Sequence, residues 1–132
     1  MGNAENKQLI RDLYDANNRG DVEGFVDFLA DDVRWTNIGS TKFSGSAVGK
    51  EELMAKLFGP LFGRLKTGIT AVIDNMVAEG DYVVVQLRGQ AETTDGDAYN
   101  NTYCHVFRVE GGQISEVTEY FDTDLANRVL GA

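Results

Sequence analysis

Four β-rich stretches in the second half of this chain constrain its fold most. ITAVIDNMVA, YVVVQLRGQAE, YNNTYCHVFRV and QISEVTEYFD follow one another, divided by EGD, TTDGD with one alanine, and EGG. β-Branched and aromatic residues dominate each stretch, and short glycine-containing breaks are the chemistry of hairpin turns. Strands joined by hairpins pair antiparallel, so this half predicts a meander. One face of such a sheet needs an apolar cover, and the first half of the chain supplies it.

Residues 5–19 set Leu9, Ile10, Leu13, Tyr14 and Asn17 along one helical face. Gly20 suits the position just past a helix end, and Asp21 suits the cap of the next helix. There Val22, Phe25, Val26 and Leu29 recur at helical spacing. Asp31 and Asp32 read as a helix end in solvent. VRWTNI is then a short strand with Val33, Trp35 and Asn37 on one face, and GSTKFSGSAVG is a loop long enough to rim a pocket. Residues 50–65 are helical again, with Leu53, Leu57 and Leu61 on one side and Met54, Phe58 and Leu65 nearby. Pro60 is predicted to kink or interrupt this helix, because proline removes a donor and clashes with the preceding turn. Helices on one face of an antiparallel sheet make an α+β domain, here a single one over residues 1–132.

The chain is 42% hydrophobic and 25% charged, the balance of a packed domain with a real core. No apolar run approaches the roughly 18 residues that span a bilayer, and MGNAENKQLI lacks a signal-peptide core. A cytoplasmic location and no membrane partner are therefore expected. A net charge of −9, with Lys and Arg scattered singly, repels phosphate backbones, so no nucleic acid is expected either. The lone Cys104 cannot form an internal disulfide, and one Cys with one His does not make a zinc site of the usual kind. Neither a metal nor a cofactor is expected.

RGDVEGFVDFLADDVRW, the glycine-rich rim, KEELMAKLF and VFRVEGGQISEVTEYFDTDLANRVLG together resemble the nuclear-transport-factor-2-like superfamily. Within it they resemble the SnoaL-like proteins, which include ketosteroid isomerases, polyketide cyclases and limonene-epoxide hydrolase. The similarity spans essentially the whole chain. It implies a cone in which three helices close a curved, mainly antiparallel sheet around a deep, largely apolar cavity. That cavity would hold a small hydrophobic molecule. Cofactor-free isomerisation, cyclisation or water addition is one implied function; a non-catalytic ligand-binding or protein-interaction module is the other. The resemblance also implies a homodimer paired through the outer face of the sheet.

Strand alternation then assigns faces within the implied cone. Asn101, Tyr103 and His105 are set inward, which leaves Cys104 outward and inert. On the preceding strand Gln86, Arg88 and Gln90 are set inward, and Val83, Val85 and Leu87 form the outward apolar stripe a second copy would cover. The isomerases' base position falls on Asn37, which is no base, and their acid position falls on His105. Tyr14 lies about one residue from their helix tyrosine. In the epoxide-hydrolase pattern Trp35 and Asn37 take the water-holding places, Glu119 takes that of the water-activating aspartate, and Gln86 and Arg88 those of an arginine and an aspartate. The cyclases' late-strand aspartate corresponds to Asp122.

Glu119 and Asp122 cannot share a strand face unless a bulge intervenes. Val117 and Phe121, apolar and in phase with Glu119, favour Glu119 as the buried carboxylate, with Asp122 capping the helix DLANRVL. The expected catalytic set is Glu119 as base or water-orienting group, His105 as acid, Arg88 stabilising negative charge, and Asn37 positioning ligand or water. Asp122 is the cyclase-like alternative. Expected ligand contacts are Tyr14, Trp35, Phe58, Phe62, Gln86, Asn101, Tyr103, Val117 and Phe121. An open cavity with an unpaired carboxylate near His105 would favour an enzyme. A cavity plugged by Trp35 and Phe58, or a Glu119 locked to Arg88, would favour the binding module.

Overall fold

The computed structural model describes residues 2–131, beginning with α1 (Asn3–Asn18). Ile10, Leu13 and Tyr14 are buried on one side of it, as the helical spacing requires. Gly20, at φ 73°, stops the helix, and the Asp21 carboxylate accepts the Gly24 N–H at 2.9 Å to open α2 (Val22–Asp27). α2 is shorter than its apolar stripe suggests and buries none of its residues, because Leu29 already begins β1 (Leu29–Asn37). Asp31 and Asp32 are accordingly strand residues rather than a helix end. Val33, Trp35 and Asn37 are buried on one face of β1. The glycine-rich segment is not all loop either: β2 (Gly45–Val48) pairs antiparallel with β1.

α3 (Lys50–Leu53) passes through a π-helical turn (Met54–Phe58) into α4 (Gly59–Phe62). Pro60 does not break the helix. The wider turn just before it relieves the clash that a proline ring makes with the carbonyl four residues back. The Gly59 N–H bonds to the Met54 carbonyl, and a Cβ at Gly59 would stand 2.6 Å from that oxygen. Glycine is thus what lets the π turn close.

The four β-rich stretches become β3 (Thr70–Glu79), β4 (Tyr82–Gln90), β5 (Thr102–Glu110) and β6 (Gln113–Phe121), antiparallel in sequence order. β6 also pairs parallel with β1, which gives a six-stranded mixed sheet in the order β2-β1-β6-β5-β4-β3. A last helix, α5 (Thr123–Leu130), is capped by the Asp122 side chain, which accepts the Leu125 N–H at 3.0 Å. α1 is fastened to the sheet edge by two asparagines. Asn17 Nδ2 donates to the Ile69 carbonyl at 2.8 Å, and Asn18 both donates to the Ala71 carbonyl at 2.9 Å and accepts its N–H at 2.8 Å. This anchorage fixes where Tyr14 sits.

The main core lies between α1, α3 and the inner sheet face, with Ile10, Leu13, Leu53, Val83, Val85 and Phe107 at its centre. A second cluster, Phe43, Leu65, Tyr99, Ala126 and Leu130, seats α5. The faces of β4 are the reverse of the sequence expectation. Val83, Val85 and Leu87 are buried, whereas Gln86, Arg88 and Gln90 are exposed. Apolar residues in strict alternation face the core because that is where their burial stabilises the fold. No helix among the described residues is long and apolar enough to cross a membrane.

Candidate active site

One row of residues crosses the inner face of the sheet. Asn37 on β1, Glu119 on β6, His105 on β5 and Val85 on β4 are successive cross-strand partners. Register alone therefore sets a carboxylate beside an imidazole, since directly opposed side chains stand within reach of each other. His105 Nε2 lies 2.9 Å from Glu119 Oε1, and the Tyr14 hydroxyl, reaching down from α1, lies 2.6 Å from His105 Nδ1.

The protons of this chain can be placed by counting. If the imidazole were protonated at both nitrogens, the Tyr14 O–H would have to accept from Nδ1 and find another acceptor for its own proton. None is present among the described residues, and Tyr14 is only 4% exposed. A neutral imidazole with its proton on Nε2 satisfies both ring nitrogens and the Tyr14 hydroxyl: Tyr14 donates to Nδ1, and Nε2 donates to Glu119 Oε1. Burial drives the Tyr14 phenol well above its ordinary pKa, and the negative charge of Glu119 adds to that, so the hydroxyl keeps its proton. Glu119 Oε2 has no protein partner among the described residues. Glu119 itself lines a cavity.

That cavity has a volume of about 350 Å³, at the small end of the range for organic-ligand sites. Trp35, Phe25, Phe58 and Phe62 wall one side, with the Trp35 and Phe58 rings edge to face at a centroid separation of 4.9 Å. These rings line the space without closing it. Tyr103 and Tyr99 also line it, and burial raises the pKa of both phenols. Gly20, Asp21, Val22 and Gly68 line it as well.

Of the residues expected to act, Glu119, His105, Tyr14, Trp35, Phe58, Phe62, Tyr103, Phe121 and Asn37 all line the cavity. Asn37 is already engaged: its Oδ1 accepts the Trp35 indole N–H at 2.9 Å, and its Nδ2 donates to the Phe43 carbonyl at 3.0 Å. It braces the wall more than it presents an open amide. Five expectations need correction. Arg88 points outward and makes a bidentate pair with Asp74, at 2.9 Å for Nη2 and 3.0 Å for Nε, so it neither stabilises charge in the cavity nor locks Glu119. Gln86 also faces out, accepting from Asn75 Nδ2 at 3.1 Å. The cyclase-like alternative for Asp122 falls, because its side chain caps α5 as the favoured reading had it. Asn101, though buried, ties the Tyr99 hydroxyl and the Asp122 carbonyl together at 3.0 Å each and lies outside the lining. Val117 is in phase with Glu119 but buried in the core, one row away from the cavity.

Sequence reasoning missed Phe25, Val26, Phe43, Leu61, Ile69, Leu87 and Tyr99 as lining residues. Gly89 was the readable signal for this side of the cavity. A glycine inside a strand marks a close approach, and a Cβ there would stand 2.8 Å from the Tyr103 ring and from Ile69. Among the described residues no cluster of His, Cys, Asp and Glu is arranged to hold a metal ion.

The model of the SnoaL-like domain family matches residues 10–117. No curated protein sequence matches the chain. Among solved structures, an NTF2-like protein of unknown function from Burkholderia pseudomallei K96243 is 26% identical, covers 100% of both chains and superposes with a TM-score of 0.88. A candidate SnoaL-like polyketide cyclase from Jannaschia sp. CCS1 is 20% identical over 98% of this chain and 94% of its own, with a TM-score of 0.80. An LEH-like epoxide hydrolase of M. tuberculosis is 22% identical over 97% and 91%, with a TM-score of 0.76. At such identities these last two establish the shared fold alone.

Proposed function

This chain belongs to the SnoaL-like domain family, and from that premise we propose that its cavity binds a compact, largely apolar organic molecule and moves a proton on it without a cofactor. Glu119 is the base, acting through Oε2. His105 and Tyr14 are positioning residues: they hold the carboxylate by its other oxygen and tie it back to α1. Tyr103, with a phenol that burial keeps protonated, is the donor available to an oxygen that gains negative charge during the reaction. The reaction classes this arrangement suits are isomerisation, cyclisation and water addition.

The observation that carries this reading is the hydrogen-bonded run Tyr14–His105–Glu119 at the floor of an apolar cavity, ending in an oxygen with no protein partner. A base is most effective where its geometry is fixed and water is excluded. The ring cluster around Trp35 and Phe58 leaves the cavity open, and Glu119 is not tied to Arg88. Both features favour the enzyme over the binding module.

The elimination of 5-nitrobenzisoxazole tests the base directly. Its carbon-bound proton passes to Glu119 as the ring N–O bond breaks, leaving a cyanophenolate that absorbs in the ultraviolet to visible range. The chain is expected to accelerate this reaction on the order of 10²-fold over buffer, and Glu119→Gln is expected to remove the acceleration. Equal rates in the two proteins would sink the assignment of Glu119. Binding of the probe with no acceleration by either would leave the binding module as the reading.

A homodimer belongs to the same proposal, on different residues from those first expected. Val77, Val84, Val106 and Thr118 form one cross-strand row on the outer sheet face. Tyr82 and Tyr120, each 47% exposed, add further apolar surface to that face. Sedimentation should report a dimer that Val84→Asp converts to a monomer; a wild-type monomer at high micromolar concentration would overturn it.

A further inference from the structure

The cavity is charged with one sign only. Among the described residues that line it, Asp21 and Glu119 are acidic, and neither lysine nor arginine is present. Asp21 is half-exposed and has Arg19 at 3.5 Å. Glu119 has no such answer. Its side chain is only 15% exposed, and its one polar partner is an imidazole that hydrogen-bond counting leaves neutral. A carboxylate withdrawn from water into apolar surroundings is stabilised when a cation meets it and is costly when none does. Among the described residues no lysine or arginine supplies that cation here.

We infer that the missing counter-charge arrives with the ligand, and that the cavity selects a protonated amine carried on a compact apolar or aromatic body. This rests on the cavity being the ligand site proposed above. Three features of the structure agree with an ammonium group at the floor. Glu119 Oε2 is without a protein partner, so an N–H of the ligand can reach it in a charge-assisted hydrogen bond. Aromatic rings surround the row: Trp35 and Tyr103 lie 6.1 and 5.8 Å from His105, centroid to centroid, and ring faces attract cations. The chain's net charge of −9 raises the local concentration of cations and lowers that of anions. A carboxylate or phosphate ligand would meet repulsion at the floor and find no lysine or arginine in the walls.

Isothermal titration of the wild-type chain with three probes of nearly equal size tests the inference: 2-phenylethylamine, 2-phenylethanol and phenylacetate, at neutral pH and fixed ionic strength. The amine is expected to bind at least about tenfold more tightly than the alcohol, the scale of one hydrogen bond to a charged group. Phenylacetate is expected not to bind. In Glu119→Gln the amine should lose its advantage over the alcohol. Equal affinity of amine and alcohol in the wild type, or an advantage that survives in Glu119→Gln, overturns the inference. In the first case the alcohol still binds, so the cavity remains a ligand site and only the charge selection falls. If none of the three probes binds, both fall together. The wild-type comparison stands by itself should the variant fail to fold.

Discussion

Replacing Tyr14 with phenylalanine removes one oxygen from the heart of the site and nothing else. Among the described residues the lost hydroxyl is the only donor to His105 Nδ1, at 2.6 Å, on a histidine that is 8% exposed. Leaving a buried acceptor unpaired costs about 1–3 kcal/mol, and removing the buried phenol's own desolvation returns part of that. A net loss of about 1–2 kcal/mol follows. For a domain of this length each kcal/mol is worth about 3–5 °C, so the melting temperature should fall by about 3–10 °C. Thermal unfolding followed by circular dichroism measures the fall. Nitrogen-15 spectra of the imidazole supply the structural reading, and they are unambiguous because the chain has a single histidine. The wild type should show the proton on Nε2 with Nδ1 as acceptor, and Tyr14→Phe should move the Nδ1 resonance. A variant as stable as the wild type, with an unmoved Nδ1 signal, would refute the hydrogen-bonded run on which the site is built.

Other consequences are open to equally direct tests. Tyr14, Tyr99 and Tyr103 have phenols raised above their ordinary value in the folded chain, so the stability they contribute is complete below a pH of about 10 and is lost as pH climbs past it. An ultraviolet titration should show these three ionising only as the chain unfolds; their ionisation in the folded state would contradict the burial argument. Gly59→Ala would press a Cβ against the Met54 carbonyl at 2.6 Å, and urea unfolding should report a loss of about 1–3 kcal/mol. Phe58→Ala opens the aromatic wall. Because Phe58 already borders empty space, the cost should be about 3 kcal/mol, at the low end for phenylalanine truncation, and larger ring systems should bind better in displacement assays. Arg88→Ala, outside the cavity, should leave the rate of benzisoxazole elimination unchanged.

The sequence located the floor of the site well and its walls poorly, for different physical reasons. β5 and β6 were legible because each sets an apolar, buried or half-buried residue on either side of its polar one. Phe107 and Tyr103 bracket His105, and Val117 and Phe121 bracket Glu119, so alternation leaves one choice of face. β4 carried the same signal in Val83, Val85 and Leu87. It was set the wrong way round because the family resemblance placed functional groups at Gln86 and Arg88. The outward Arg88–Asp74 pair depends on a bulge in β3, between Ile73 and Asn75, that no local pattern announces. The aromatic walls come from segments whose local reading was ambiguous. α2 carries Phe25 on a stripe that reads as core packing, and β2 hides in a glycine-rich stretch because a four-residue edge strand needs little more than a partner. Pro60 was read as a kink or interruption, and what stands just before it is a π turn that Gly59 permits.

The central claim is that a ligand sits over the Tyr14–His105–Glu119 row rather than elsewhere on the fold. Titrating the nitrogen-15-labelled chain with 1-tetralone, an uncharged bicyclic ketone, measures this most directly through its one histidine. The account expects a saturable shift of the His105 ring resonances, with the same midpoint as the shift of the Trp35 indole N–H. Saturable binding that leaves both signals unmoved would place the ligand outside the cavity and contradict the account.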